Sequence, residues 1–351
     1  ASTLSYARYF VNQKSGIQKR VFVIASIVGR RCRAGSEDSQ VNVSLLAILG
    51  VHLAAALVIG FASSRFRRST TGAAVAVMLA TFVWAQGQAG LVIDTGAITE
   101  TLSWIPSLDV GFTMRIDALA VTFITLISGV GLGVVVFTAG YMRKNPRVNR
   151  FLALLVMFAG SMIGLAATDN VFGLFVFWEL TTITSYLLVG FDDEKAASRA
   201  AALQAVLTTG LGGLVLLGGL VLLAQAAGTA SLAAIVDSPP NGAVTTAALV
   251  LVLVGAFTKS AQVPFHFWLP GAMAAPTPAS AYLHSATMVK AGIYLLARLN
   301  PALGFTESWF WLLTITGGIT MLAGAYLGLR QNDQKALLAY STISQLGVLV
   351  M

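Results

Sequence analysis

Ten apolar runs of membrane-spanning length follow one another along this chain, and they restrict its fold more than any other feature. They lie at about 41–61, 72–93, 116–141, 151–168, 170–190, 203–226, 243–261, 279–299, 308–329 and 336–351. A helix needs about 20 apolar residues to cross a bilayer. Inside lipid every backbone polar group has to find its partner within the protein, which leaves helices and closed barrels. The chain is therefore read as an all-α polytopic membrane protein of about ten transmembrane helices. Only 10% of its 351 residues are charged, against about 25% in average soluble usage. One cysteine, Cys32, excludes a disulfide framework and a cysteine-based metal site. Three histidines without paired carboxylate spacing argue against structural zinc. No metal and no cofactor are expected.

The charge is unevenly placed. Residues 1–40 hold seven Lys/Arg and two acids, so +5 of the net +8 lies there. A basic end suits nucleic acid, but the flank of a membrane domain is the commoner explanation, and no nucleic-acid partner is expected. Val21 to Gly29 is too short to span. A signal-peptide core there meets Arg30, Arg31 and Arg33 where small residues belong. Lys/Arg-rich loops prefer the cytoplasm, which places 62–71 and 142–150 inside, 94–115 and 227–242 outside, and 191–202 inside by alternation. That order puts residue 41 outside and conflicts with the basic segment before it. Residues 1–40 are accordingly read as non-native, with Val41 as a non-AUG start. The chain, which lacks an initiator methionine and stops inside an apolar run, is read as a fragment.

The costliest stretch is Gly255 to Gly292, GAFTKSAQVPFHFWLPGAMAAPTPASAYLHSATMVKAG. Pro264, Pro270, Pro276 and Pro278 prevent one continuous helix, because each lacks an N–H and crowds the preceding turn. Broken helices survive in lipid only where protein or a wet cavity satisfies the freed groups. A lysine at mid-bilayer costs about 2.5–3.5 kcal/mol on insertion scales. Lys259, just before the break, suits a site that releases and regains a proton; its alternative is snorkelling to an interface. His266 and His284 suit a proton relay or a helix–helix hydrogen bond. His52, without ionisable neighbours, is read as packing. Lys290 follows His284 by six residues, about 240° round a regular helix, so the two are expected to face different neighbours. Arg298 is read as an interface anchor.

Glu179 lies in VFGLFVFWELTTITSYLLVG, with Thr182 and Tyr186 on its helical face. A basic partner would keep it ionised, and Lys259 is the candidate, either as a functional pair or as a structural tie. Lys335 opens the last run, with Thr342 and Gln345 on its face and Ser341 and Ser344 beside it. Its alternative role is to mark the cytoplasmic helix end. The clusters Gly210 to Gly213 and Gly218-Gly219 are followed by no Gly-Lys-Ser/Thr, so they are read as sites of close helix packing and not as phosphate loops.

FWELTTITSYLLVGF, the Gly255–Arg298 stretch and DQKALLAYSTISQLG resemble the antiporter-like subunits shared by Mrp-type multisubunit Na⁺/H⁺ antiporters and respiratory complex I. FTMRIDALAVTFITLISGVG is similar to that family's third helix. VKAG around Lys290 resembles the large A-type Mrp protein more than the L-type protein of complex I. The resemblance implies two inverted five-helix repeats, each with a broken helix. It divides the chain into the basic segment 1–40, three helices at 41–150, a first repeat with a half-channel at 151–299, and a truncated second repeat from 300 to 351. It implies that Glu179, Lys259, His284 and Lys335 translocate protons, with His266 and Lys290 as further relay positions. The function it implies is cation/proton antiport, H⁺ against Na⁺, across a bacterial plasma membrane, in a complex with other subunits and surrounded by lipid. The alternatives are a proton-pumping component of complex I or a related hydrogenase, and a non-conducting assembly component.

Overall fold

A computed structural model describes residues 44–105 and 110–351; the readings made for residues 1–40 and for Val41 lie outside the described residues. Helices α1 (Leu45–Phe61) and α2 (Arg67–Thr95) lead into an antiparallel hairpin of β1 (Ala97–Ile105) and β2 (Val110–Asp117). Then come α3 (Ala118–Tyr141), α4 (Val148–Ala167), α5 (Val171–Val189), α6 (Ala196–Ala227), the short α7 (Leu232–Asp237) and α8 (Ala243–Lys259). The backbone is broken from there to α9 (Lys290–Leu303), which is followed by α10 (Glu307–Leu329) and α11 (Gln334–Val350). By length and composition α2, α3, α4, α5, α6 and α10 can cross a membrane, and α1 and α8 are apolar helices of 17 residues.

Nine of the ten apolar runs become helices close to the expected limits. The eighth does not. In place of a helix over 279–299 there is a helical turn at Thr277–Ser280, a π-helical stretch at Ala281–Ala286 and then α9. Side chains satisfy the carbonyls that this break frees: Thr287 Oγ1 donates to the Tyr282 carbonyl and Ser260 Oγ to that of Val289, both at 2.7 Å. That satisfaction helps an interrupted helix persist in lipid.

α4 is buried on all sides and forms the centre. The outward faces of α2 and α10 carry exposed Leu79, Val83, Phe310, Trp311 and Leu322, as lipid-facing helices do. Between such helices burial gives no hydrophobic gain, so close approach of small residues has to hold them together. The glycines of α6 supply it against α8. A Cβ on Gly219 would lie 2.8 Å from the Val252 nitrogen, and one on Gly255 would lie 2.9 Å from the Gly212 carbonyl oxygen.

The connections gather at two opposite ends. At one, Asn149 Nδ2 donates to the Ala62 and Ser63 carbonyls, Arg67 donates to that of Met142, and Arg147 meets Asp193 at 2.6 Å. This end holds the arginine-rich loops. At the other stands the hairpin, where a plain 94–115 loop was expected. Its Glu100 caps α1, accepting from Ser44 Oγ at 2.6 Å and from the Leu45 N–H at 3.1 Å. Asp117 caps α3 by accepting from the Ala120 N–H at 3.0 Å. Asp169 caps α7, accepting from Ser231 Oγ and the Ala233 N–H. The loops assigned to each side by their charge thus come together in space.

Candidate functional site

Three helices build the first half of the site. α8 delivers Lys259 at its last residue, α5 presents Trp178, Glu179 and Thr182, and α6 crosses both with Gly212 and Gly213. Lys259 is fully buried, which rules out snorkelling to the surface of the protein. Its ammonium donates to the Trp178 carbonyl at 3.0 Å and to Thr182 Oγ1 at 2.7 Å, and stands 5.0 Å from the centre of the Trp178 ring. A buried charge needs such partners, and the ring face adds a cation–π attraction.

Glu179, the partner expected for Lys259, makes no direct ion pair with it, although the two charges remain within electrostatic reach of each other. Among the described residues the ion pairs are Arg115–Asp117, Arg147 with Asp193 and Glu194, Lys195–Asp192 and Arg298–Asp117. The cause is angular. Trp178 and Thr182 are one helical turn apart and share the face that Lys259 touches, whereas Glu179 is turned about 100° from Trp178. Its Oε1 is enclosed, has no hydrogen-bond partner, and lies against the α carbon of Gly213. Of the residues placed on Glu179's face, Thr182 is buried at Lys259 and Tyr186 is exposed.

The second half lies beyond the break. His284 is buried in the π-helical stretch, with neither ring nitrogen hydrogen-bonded. The Trp268 ring packs edge-on to it, 6.0 Å between centres, while Trp268 Nε1 donates to the Thr258 carbonyl at 3.0 Å. Trp268 therefore joins the residue before Lys259 to His284. His266 lies in a 3-10 turn at Phe265–Phe267, half-buried, with Nδ1 unpartnered.

A cavity of about 500 Å³ opens beside His284, lined by Lys290, Lys335, Ser280, Thr342 and Gln345 among others, and, among the described residues, by no acidic side chain. His284 and Lys290 were expected to face apart. They line one cavity because the helix between them is broken, so regular helical spacing does not connect them. Lys335 does more than mark a helix end: its ammonium donates to the Met273 and Ala275 carbonyls at 3.2 and 3.1 Å. Both lie just before Pro276, where the chain turns extended and leaves those oxygens without helical donors. Ser344 faces away, donating to the Met321 carbonyl. Among the described residues no cluster of His, Cys, Asp and Glu is placed to hold a metal.

His52 packs as expected, its Nδ1–H donating to the Ile48 carbonyl at 2.9 Å and its Cβ against Gly160. Arg298, read as an interface anchor, turns its guanidinium inward at the hairpin end. It forms a two-pronged ion pair with Asp117 and donates to Tyr294 Oη, which itself donates to the Ala166 carbonyl. Burial works against ionisation of Asp117, but the bond from Arg298, the Ala120 N–H and the arginine charges hold its carboxyl below the usual carboxylate range. Asp117 and Trp268 were not singled out in the sequence, and Gly213 was read only as part of a close-packing cluster, since each acquires its role from a neighbour distant along the chain.

Over residues 168–351, just over half of the chain, the sequence matches the family described as NADH:quinone oxidoreductase/Mrp antiporter, TM. Residues 103–152 match the complex I chain 5 N-terminus family. A probable K⁺/H⁺ antiporter protein of the A/B type from Rhizobium meliloti is 44% identical over 304 residues, which cover 86% of this chain and 30% of that one. The A-type Na⁺/H⁺ antiporter protein of Alkalihalophilus pseudofirmus is 44% identical over 300 residues, covering 84% and 37%. The chain spans about a third of the length of these relatives. A solved Mrp complex from Dietzia sp. DQ12-45-1b superposes with TM-score 0.79 at 36% identity, covering 88% of this chain and 34% of that one. An archaeal membrane-bound sulfane sulfur reductase, a respiratory membrane complex, superposes at 0.75 with 25% identity, covering 87% and 64%. This is a multi-pass protein of the plasma membrane, and with its apolar helices, its broken eighth span and the match over residues 168–351, it belongs to the NADH:quinone oxidoreductase/Mrp antiporter transmembrane family.

Proposed function

We propose that this chain is part of a cation/proton antiporter subunit, and that Glu179, Lys259, His284 and Lys335 carry protons through it, with His266 and Lys290 at the sides of the path. The observation that carries the reading is Lys259: an ammonium with no exposed surface, held by a carbonyl and a hydroxyl in place of a carboxylate. A fixed structural cation is normally paired with an anion when buried; one held by neutral oxygens is suited to gain and lose its proton. Past it, Trp268, His284 and the cavity with Lys290 and Lys335 extend the polar line. The relatives' names carry Na⁺ or K⁺ with H⁺, so the exchanged ion is read as a monovalent alkali cation. The work is transport, with other subunits of a larger complex as partners.

The test is exchange by the complete complex in vesicles, with assembly checked for each variant. Lys259→Ala abolishes exchange while the complex still assembles. Lys259→Arg also fails, since a guanidinium hardly deprotonates. Near-wild-type exchange by the Arg variant would show that a fixed charge suffices and would overturn the reading. Full exchange by the Ala variant would leave the chain an assembly component.

A further inference from the structure

We propose that Gly213 is a positioning residue for Glu179: it leaves vacant, on the face of α6, the space that the carboxylate occupies. The proposal rests on the role given to Glu179 above. A Cβ built on Gly213 falls onto Glu179 Oε1, and lies 3.1 Å from its carboxyl carbon and 3.3 Å from Trp178 Cδ1. Oε1 is enclosed there without a hydrogen-bond partner. It is held by the shape of the wall and not by a bond. Any side chain at 213 therefore moves it.

The other glycines of this crossing serve differently. Cβ atoms on Gly219 or Gly255 meet backbone, the Val252 nitrogen and Ala248 oxygen at 2.8 and 2.9 Å or the Gly212 oxygen at 2.9 Å. One on Gly212 meets Thr258, including its Cβ at 2.6 Å, and Thr258 Oγ1 is tied to the Gly255 carbonyl. Substitution at those positions forces α6 and α8 apart. At Gly213 the obstacle is the end of a flexible side chain on α5, so alanine is accommodated by turning the carboxylate, with the helices in place. Displacement of a reacting group by about 1 Å can cost on the order of a hundredfold in rate.

The experiment compares Gly213→Ala, Gly219→Ala, Glu179→Asp, Glu179→Gln and the double variant Glu179→Asp/Gly213→Ala in the complete complex. Exchange is measured against pH, and assembly and thermal stability separately. Gly213→Ala is expected to assemble like wild type and to lose roughly tenfold or more in exchange, with a displaced pH profile. The shorter Asp carboxylate is withdrawn from the wall, so adding Gly213→Ala to Glu179→Asp is expected to cost little; this non-additivity marks direct coupling. Gly219→Ala is expected to lose stability and exchange together, with the pH profile unmoved. Wild-type exchange by Gly213→Ala, or the same loss in both backgrounds, overturns the positioning role while leaving Glu179's role intact. Wild-type exchange by Glu179→Gln overturns the role of Glu179 itself, and the proposal with it.

Discussion

Two neutral oxygens and one indole face hold the Lys259 side chain inside the helices, and each is open to test. Thr182→Val keeps the shape of the side chain and removes the hydroxyl that Lys259 reaches at 2.7 Å. A hydrogen bond to a charged group contributes about 1.5–3 kcal/mol, so exchange should fall roughly ten- to a hundredfold, with assembly unchanged. Wild-type exchange in vesicles by this variant would make Thr182 a bystander. Lys335→Met removes the donor from the Met273 and Ala275 carbonyls and a cation from the cavity. It should abolish exchange, and it should also lower thermal stability, because the Met273 carbonyl loses its Lys335 bond and that of Ala275 keeps only the longer bond from Ser280 Oγ at 3.4 Å. Glu179, Lys259, His284 and Lys335 were legible in the sequence because ionisable groups stand out in apolar runs. Gly213 and Trp268 were not: a glycine or an indole reports its role only once the crossing helix is known.

At the scale of elements, ten apolar runs and four prolines disclosed the spans and the break. The π-helical register at Ala281–Ala286 was hidden, because it depends on Thr287 and Ser260 taking carbonyls across the gap. The hairpin was hidden as well, since Glu100 caps a helix distant along the chain and, among its described side chains, only Met114 and Ile116 are fully buried in the core. The tie between Asp117 and Arg298 joins that hairpin and α3 to α9, with side chains only 19% and 13% exposed. A carboxyl held below its ordinary range by folding adds stability that is full above its unfolded value and is lost as pH falls through the lower folded value. Asp117→Asn should therefore lower the melting temperature of the complex at neutral pH, for a loss of about 1.5–3 kcal/mol. The difference from wild type should close in acid. A gap that stays constant with pH would mean that the charge of Asp117 carries none of the effect.

For the whole molecule, the described loops sort onto two ends, and the arginine bias assigns the 62–71, 142–150 and 191–202 end to the cytoplasm. With Cys32 replaced by serine, Lys195→Cys should react with an impermeant thiol reagent only after permeabilisation, and Thr99→Cys on β1 should react from outside. The reverse pattern inverts the topology. α9 runs between these two worlds. Just before its start the Val289 carbonyl is tied to Ser260 Oγ, and Arg298, about 12 Å beyond Lys290, locks to the hairpin. A rod clamped at both ends has its phase fixed. Deleting one residue between Met288 and Lys290 would turn everything after it by about 100° and would break one clamp or the other. Insertions belong in the surface connections near Asn241, whereas the break, for all its irregularity, tolerates no change in length: it works as a vernier that brings two unrelated helical settings into register.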